Sequence, residues 1–264
     1  MSTLPILTYH GIESDRDTYF WEKNETLYVL ETRSFETQMQ HLVQMGFETL
    51  SLDQIGPCLG GILQSRAVVI TFDDGHISHY EHVLPRFAKF HSKAIFFIPA
   101  AFIGKRGYMS WAHLREILKS GHTIGSHGLN HVPLTNLSDT ELTGELEFSK
   151  KMLEDGLGIE ITSLSIPRGF YRRKISSKAY DLGYRFVFTS QFDVNPLGTK
   201  LLNLRRMVVR VDTSLSEFAN MLAGNLGSKR PVERMKHSAR QLIHPKVYDF
   251  LAGVKRVGLG RMNG

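Results

Sequence analysis

Short apolar runs rich in β-branched residues recur along the chain and set its rhythm. They cover Ile6–Tyr9, Ala67–Phe72, Ala94–Ile98, a brief stretch at Thr123–Gly125, Leu164–Ile166, Phe186–Thr189 and Met207–Val211. Runs of this length and composition predict buried strands. The segments between them carry apolar residues at helical spacing behind start signals. Ser34 precedes Phe35, Met39, Leu42 and Val43, and Ser110 precedes Trp111, Leu114, Ile117 and Leu118. Ser138 with Glu141 and Ser214 with Glu217 are capping-box pairs, in which side chains and backbone satisfy one another at a helix start.

Strands alternating with helices predict a parallel sheet, open or closed into a barrel. Seven repetitions of the unit favour the barrel. There is no low-complexity linker and no internal repeat, so residues 1–225 read as one α/β domain and 226–264 as a basic C-terminal extension. The extension brings Lys229, Arg230, Arg234, Lys236 and Arg240 among its cations against few acidic residues. Val247, Phe250, Leu251 and Val254 outline an amphipathic helix there, a candidate for peripheral membrane contact; packing on the domain is the alternative.

Composition narrows the class further. With 264 residues, 42% hydrophobic and 22% charged, the chain is an ordinary globular one, which excludes a disordered or fibrous protein. A core of that size needs no disulfide or structural metal. The single Cys58 excludes an internal disulfide and reads as a buried bystander thiol. Lys and Arg number 32 against 26 Asp and Glu, a formal charge of +6 that suits acidic polymers. No basic run interleaved with aromatics occurs and no zinc-finger pattern, so nucleic acid is not an expected partner. The first residues lack a basic region followed by a long apolar stretch, and the longest apolar run, 94–103, is half a bilayer crossing. The expectation is a cytoplasmic protein, with a membrane-proximal position open through its tail.

The chemistry gathers in two stretches. Val69-Ile70-Thr71-Phe72-Asp73-Asp74-Gly75 runs a buried-looking strand into two adjacent carboxylates, which repel unless a cation or proton separates them. In a βα barrel, residues just past the C-terminal end of a strand face the active site. Gly121-His122-Thr123-Ile124-Gly125-Ser126-His127-Gly128-Leu129-Asn130-His131 supplies two histidines at i and i+4. Two histidines and an aspartate with an open position for water form a catalytic site for a divalent metal, zinc first. His76, His79 and His82 are expected on an exposed helix near the mouth, a second metal being the alternative. Trp111 matches helical core spacing.

Thr71-Phe72-Asp73-Asp74-Gly75 and Ser126-His127-Gly128-Leu129-Asn130-His131 resemble the first two motifs of the polysaccharide deacetylase family, the NodB homology domain. Pro5-Ile6-Leu7-Thr8-Tyr9-His10 is similar to the strand that opens many bacterial members, and the likeness extends over residues 4–212. It implies a distorted (β/α)7 barrel and metal-dependent removal of acetyl groups from an N-acetylated carbohydrate: polysaccharide, oligosaccharide or lipid-linked sugar. On the matching positions Asp74, His127 and His131 would hold the metal, and Asp73 would be the general base. The family's third motif, Arg-x-Pro, is represented by Ser165-Ile166-Pro167-Arg168-Gly169-Phe170-Tyr171, closer to a bacterial Tyr-Pro-x-Gly-x-Tyr subgroup. Pro167 and Arg168 are expected to contact substrate, and Arg168, Arg205 and Arg206 are candidates to orient Asp73. The catalytic acid would be His10, as in members that open with a Tyr-His strand, or His244. A deacylase of a non-sugar amide and a non-catalytic carbohydrate-binding relative remain as alternatives.

Overall fold

The computed structural model describes residues 3–14, 17, 26–62, 66–227 and 235. Its centre is a curled parallel sheet made from the seven expected runs. These are β1 (Ile6–Tyr9), β3 (Ala67–Phe72), β4 (Ile95–Ile98), β5 (Thr123–Ser126), β6 (Ser163–Ser165), β7 (Phe186–Phe188) and β8 (Met207–Val208). A two-residue strand, β2 (Glu48–Thr49), pairs with the start of β3. The spatial order is β7-β6-β5-β4-β3-β1-β8, so the first strand lies between the third and the last. Its register runs from Ile6 beside Val69 to Tyr9 beside Phe72. This is an α/β fold of the distorted (β/α)7 barrel type.

The barrel has a seam between β7 and β8, which no ladder joins. The segment leading into β8 bridges it. The Leu204 amide donates to the Val187 carbonyl at 2.8 Å, the Thr189 amide to the Leu204 carbonyl at 2.8 Å, and the Arg206 amide to the Gln191 carbonyl at 3.2 Å. The predicted run to Val211 is longer than β8, whose pairing stops at Val208 beside Thr8. Thr8 still accepts from the Val209 amide, but the next carbonyl on that edge, His10, accepts from His79 Nε2 instead.

Strand alternation divides the interior into two clusters. Ile6, Ala67, Val69, Ile95, Phe97 and Phe188 fill the inside of the barrel. Leu7, Tyr9, Val68, Ile70, Phe72 and Phe96 face outward and pack under the helices. Among the described residues, α1 (Thr32–Gln44) packs on that outer surface, α2 (Leu52–Leu59) instead adds Ile55, Cys58 and Leu59 to the inner cluster, and α3 (Leu84–Phe90), α4 (Trp111–Lys119), α5 (Asp139–Leu157), α6 (Arg173–Asp181) and α7 (Leu215–Ala223) cover the rest of the outside. Ser110, Ser138 and Ser214 cap α4, α5 and α7 as their sequence signals predict, each accepting from the amide three residues on. Ser34 does not cap α1. The chain passes straight from the extended residues Val29–Glu31 into a helix beginning at Thr32, so Ser34 lies within its first turn. Cys58 is buried, as expected. No helix among the described residues is long and apolar enough to cross a membrane. The basic extension beyond residue 227, including His244, lies outside the description apart from Met235.

Candidate active site and metal centre

The alternation that packs the barrel also aims its chemistry. Ala67 and Val69 point inward, and Thr71 and Asp73 continue that row to the mouth. Asp74 leaves the row because its backbone turns left-handed, at φ +75°, followed by Gly75 at φ +66°. Gly75 tolerates this conformation and this spot: a Cβ there would stand 3.3 Å from Ile98 Cδ1. The two carboxylates therefore part, Asp73 into the barrel and Asp74 over its rim.

Asp73 is 3% exposed and is held by Arg206, itself 1% exposed. Nη1 and Nη2 of Arg206 donate to Oδ1 and Oδ2 of Asp73, each at 2.7 Å. The same guanidinium donates to the hydroxyls of Thr8 (2.9 Å), Thr71 (3.1 Å) and Ser165 (2.8 Å), and through Nε to the Thr189 carbonyl (3.2 Å). Ser165 Oγ in turn donates a hydrogen bond to Asp73 Oδ2 at 3.1 Å. Burial alone would raise the Asp73 carboxyl, but the Arg206 charge, with His127 behind it, outweighs burial and brings it to about 2. Of the three candidate arginines, then, Arg206 reaches Asp73. Arg205 turns instead to the Val194 carbonyl and Asp193, and Arg168 is exposed at the mouth.

The second stretch converges on Asp74. His127, 2% exposed, donates from Nδ1 to the Ser165 carbonyl at 2.8 Å. A carbonyl only accepts, so Nδ1 carries the proton and Nε2 presents a lone pair. That lone pair lies 3.3 Å from Asp74 Oδ1, and His131 Nε2 lies 3.1 Å from the same oxygen. Asp74 Oδ1 is buried and has no hydrogen bond of acceptable geometry. Three electron-rich atoms, all within 4.8 Å of one another, need a cation or a proton among them. Two imidazole nitrogens and one carboxylate oxygen with the remaining side open fit a divalent metal with a free position. Without the cation, Asp74 serves as counter-charge: burial opposes a proton on His131, yet Asp74 outweighs it and raises the His131 pKa.

Helix α5 holds the loop that carries both histidines. Glu145, 7% exposed, accepts from the Asn130 amide at 2.6 Å and from its side-chain nitrogen at 2.9 Å. Ser149 donates to the Gly128 carbonyl and bonds the Ser126 hydroxyl, each at 2.8 Å. Gly128, at φ +75°, fits between Glu145 and Pro167, which would lie 3.2 and 3.4 Å from a Cβ there. Ser165, Glu145, Thr8 and Thr71 were not among the expected site residues. Glu145 left a readable signal, a carboxylate on the apolar face formed by Leu142, Leu146 and Leu153.

The other expected residues take varied places. His10 ends β1 half-buried, with Nδ1 lacking a partner; burial lowers its pKa, while Asp74 and Asp73 pull it upward. Pro167 is buried against Gly128. The histidines after Gly75 are not the exposed helical set expected. A π-helical turn, His79–Val83, carries the chain inward there. His76 is 8% exposed and bonds Ser78 through Nδ1. His79 is fully buried and donates from Nε2 to the His10 carbonyl, and His82 pairs with Asp17 at 2.7 Å. Trp111 is the first residue of α4 and covers Gly156 of α5, partly buried against the core rather than within it.

Residues 61–187 match the family model described as polysaccharide deacetylase, a stretch that includes Asp73, Asp74, His127 and His131 but neither His10 nor Arg206. Over that stretch, just under half of its length, the chain resembles the polysaccharide deacetylase family. It is 28% identical over 217 residues to YxkH of Bacillus subtilis, a protein that carries a provisional polysaccharide deacetylase name; the match covers 81% of this chain and 74% of that one. It is 29% identical over 126 residues to a peptidoglycan-N-acetylglucosamine deacetylase of Bacillus cereus, covering 47% of this chain and 57% of the relative. In three dimensions it is similar to the Streptococcus pyogenes deacetylase PplD, with a TM-score of 0.74 and 23% identity over 83% of this chain and 98% of that one. IcaB from Ammonifex degensii has a TM-score of 0.72 and 23% identity, over 84% and 97% of the two chains. At those identities the structural likeness speaks for the fold.

Proposed function

We propose that the protein is a metal-dependent N-deacetylase of carbohydrates, hydrolysing the acetamide of an N-acetylated sugar to acetate and amine. The observation that carries this reading is the convergence of Asp74 Oδ1, His127 Nε2 and His131 Nε2 beside a second carboxylate, Asp73, kept ionised by Arg206. The names of the relatives, which include peptidoglycan and chitin deacetylases, support the same class of substrate.

A divalent cation held by Asp74, His127 and His131, zinc in the first instance, would supply Lewis acidity to the acetamide carbonyl and to the attacking water. Asp73 then accepts the proton that water loses on attack. Arg206 and Ser165 fix both of its oxygens, so the base needs no reorientation when the proton arrives. His127 keeps one tautomer throughout because Ser165 holds its Nδ1 proton. His10 gives a proton to the departing nitrogen, without which the amine is a poor leaving group. Its support is its position at the end of β1 and the pull of Asp74 and Asp73 on its ring. His79 fixes the backbone at that point.

Acetate release from N-acetylated oligosaccharides tests the reading, measured after chelation and again after zinc is restored. Activity should follow the metal. Asp73→Asn should lose turnover while still binding zinc, and retained turnover in that variant removes Asp73 from the role of base.

A further inference from the structure

We propose that Glu145 is a positioning residue of the metal centre: its grip on Asn130 fixes the place of His131 before any cation arrives, and so sets the affinity of the site. The inference rests on the reading above only through the metal centre, and deepens it.

Helix α5 buries Leu142, Glu145, Leu146, Ser149 and Leu153 on one face. Leucine at position 145 would serve that face as well, and a carboxylate taken out of water is costly unless its oxygens find donors. Both oxygens of Glu145 find them on one residue. Oε1 accepts from the Asn130 amide at 2.6 Å, and Oε2 accepts from Asn130 Nδ2 at 2.9 Å. Asn130 immediately precedes His131, whose backbone is left-handed at φ +56°. An L residue holds that conformation only when its surroundings impose it.

The two histidines are secured by different means. The His127 ring is oriented through its own second nitrogen, which donates to the Ser165 carbonyl. Among the described residues none does this for Nδ1 of His131, whose Nε2 faces Asp74. Its place is left to the backbone that leads into it, and that backbone is pinned along its length. The His127 amide donates to the Ile98 carbonyl at 2.9 Å, the Ala100 amide to the Gly128 carbonyl at 3.0 Å and the Ala101 amide to the Leu129 carbonyl at 2.9 Å. Ser149 also donates to the Gly128 carbonyl. Asn130 is the last link before His131, and among the described residues only Glu145 holds it. Groups that orient a ligand govern metal affinity nearly as the ligands themselves do.

The test uses the full chain, stripped of metal, as wild type, Glu145→Leu, Glu145→Gln and Asn130→Ala. Zinc affinity is measured by competition with a chromophoric chelator. The melting temperature of the metal-free protein reports the fold, and the visible spectrum of the cobalt-loaded protein reports ligand geometry. Glu145→Leu should bind zinc about 10–100-fold more weakly, the scale of losing a group that orients a ligand, and should shift the cobalt bands. Its metal-free melting temperature should stay close to that of the wild type, because leucine suits the buried face and removes a buried charge. Glutamine keeps an acceptor for the Asn130 amide and, once the Asn130 side chain turns over, a donor to its oxygen, so Glu145→Gln should retain most of the affinity and the wild-type spectrum. Asn130→Ala removes one of the two donors without touching the helix. Several-fold weaker zinc binding is expected there, and this arm decides the matter if the leucine variant does not fold. Unchanged zinc affinity and cobalt spectrum in Glu145→Leu, or in Asn130→Ala where the former does not fold, overturns the inference. A lower melting temperature with zinc affinity intact makes Glu145 a purely structural residue and overturns it equally. Wild-type protein that binds zinc but releases no acetate from N-acetylated oligosaccharides overturns the deacetylase reading instead and leaves the positioning role standing, whereas a wild type that binds no zinc removes both.

Discussion

Replacing Arg206 by methionine, a side chain of similar length without charge, probes the barrel's most demanding interaction. In the wild type Arg206 satisfies both oxygens of a carboxylate that is 3% exposed, and it is almost completely buried itself. Removing one partner of a buried pair strands the other charge, at a cost of about 3–5 kcal/mol. The Asp73 pKa, at about 2 against an unfolded value near 3.9, gives an independent figure. That difference corresponds to roughly 2.5 kcal/mol of stability at neutral pH. Because the folded pKa is the lower one, this contribution is present above about pH 4 and is lost as pH falls through about 2. Urea unfolding of chelator-treated protein should therefore show Arg206→Met weakened by about 3 kcal/mol or more at pH 7, with the deficit shrinking toward pH 4 as Asp73 takes up a proton. Adding Asp73→Asn should restore much of the loss, because no buried charge is then left alone. A loss below about 1 kcal/mol at pH 7, or a double variant no more stable than Arg206→Met, would refute the reasoning.

Three further outcomes follow. Elemental analysis after incubation with zinc should find close to one metal per chain in the wild type, and His127→Ala/His131→Ala should lose it together with the rise in melting temperature that bound metal confers. His122 lies between the Phe87 and Phe96 rings with Nδ1 unpartnered, and burial lowers its pKa to about 4. The unfolded chain binds that proton more readily, so stability present above pH 6.5 falls away toward pH 4, by about 2 kcal/mol at pH 5; urea titrations should show His122→Leu gaining more at pH 5 than at pH 8, and an equal gain at both removes the histidine as the cause. Gly125→Ala would put a Cβ 2.5 Å from Ser163 Oγ and 2.6 Å from the Phe97 ring inside the barrel, so a loss of about 1–3 kcal/mol is expected in the same assay.

The strands were legible because the sheet is buried on both faces, which leaves continuous β-branched runs in the sequence. The adjacent aspartates and the spaced histidines were legible because each pair is local. Arg206 was only one of three candidates, since it meets Asp73 across 133 residues and nothing nearby in sequence marks it. What selects it over Arg205 is strand alternation at the seam: one of two consecutive arginines faces into the barrel, and which one depends on register. The π-helical turn after Gly75 escaped for a similar reason, because three histidines at i, i+3 and i+6 fit an exposed helix as well as an inward turn. Ser165 gave no signal at all, being a common residue whose hydroxyl and carbonyl acquire their roles only when the curl of the sheet brings the end of β6 against both Asp73 and His127.

The bridged seam also sets an order of events. Asp73 leaves the ribosome 133 residues ahead of Arg206, and at 5–20 residues per second that interval is on the order of ten seconds. During it the carboxylate has no counter-charge and cannot be buried as an anion, so the mouth of the barrel stays open to water even after the earlier strands can pair. Arrival of Arg206 ends that wait, closing the seam and fixing the candidate base in a single step. A nascent chain would thus gain its hydrolytic centre only after almost all of its barrel has been made.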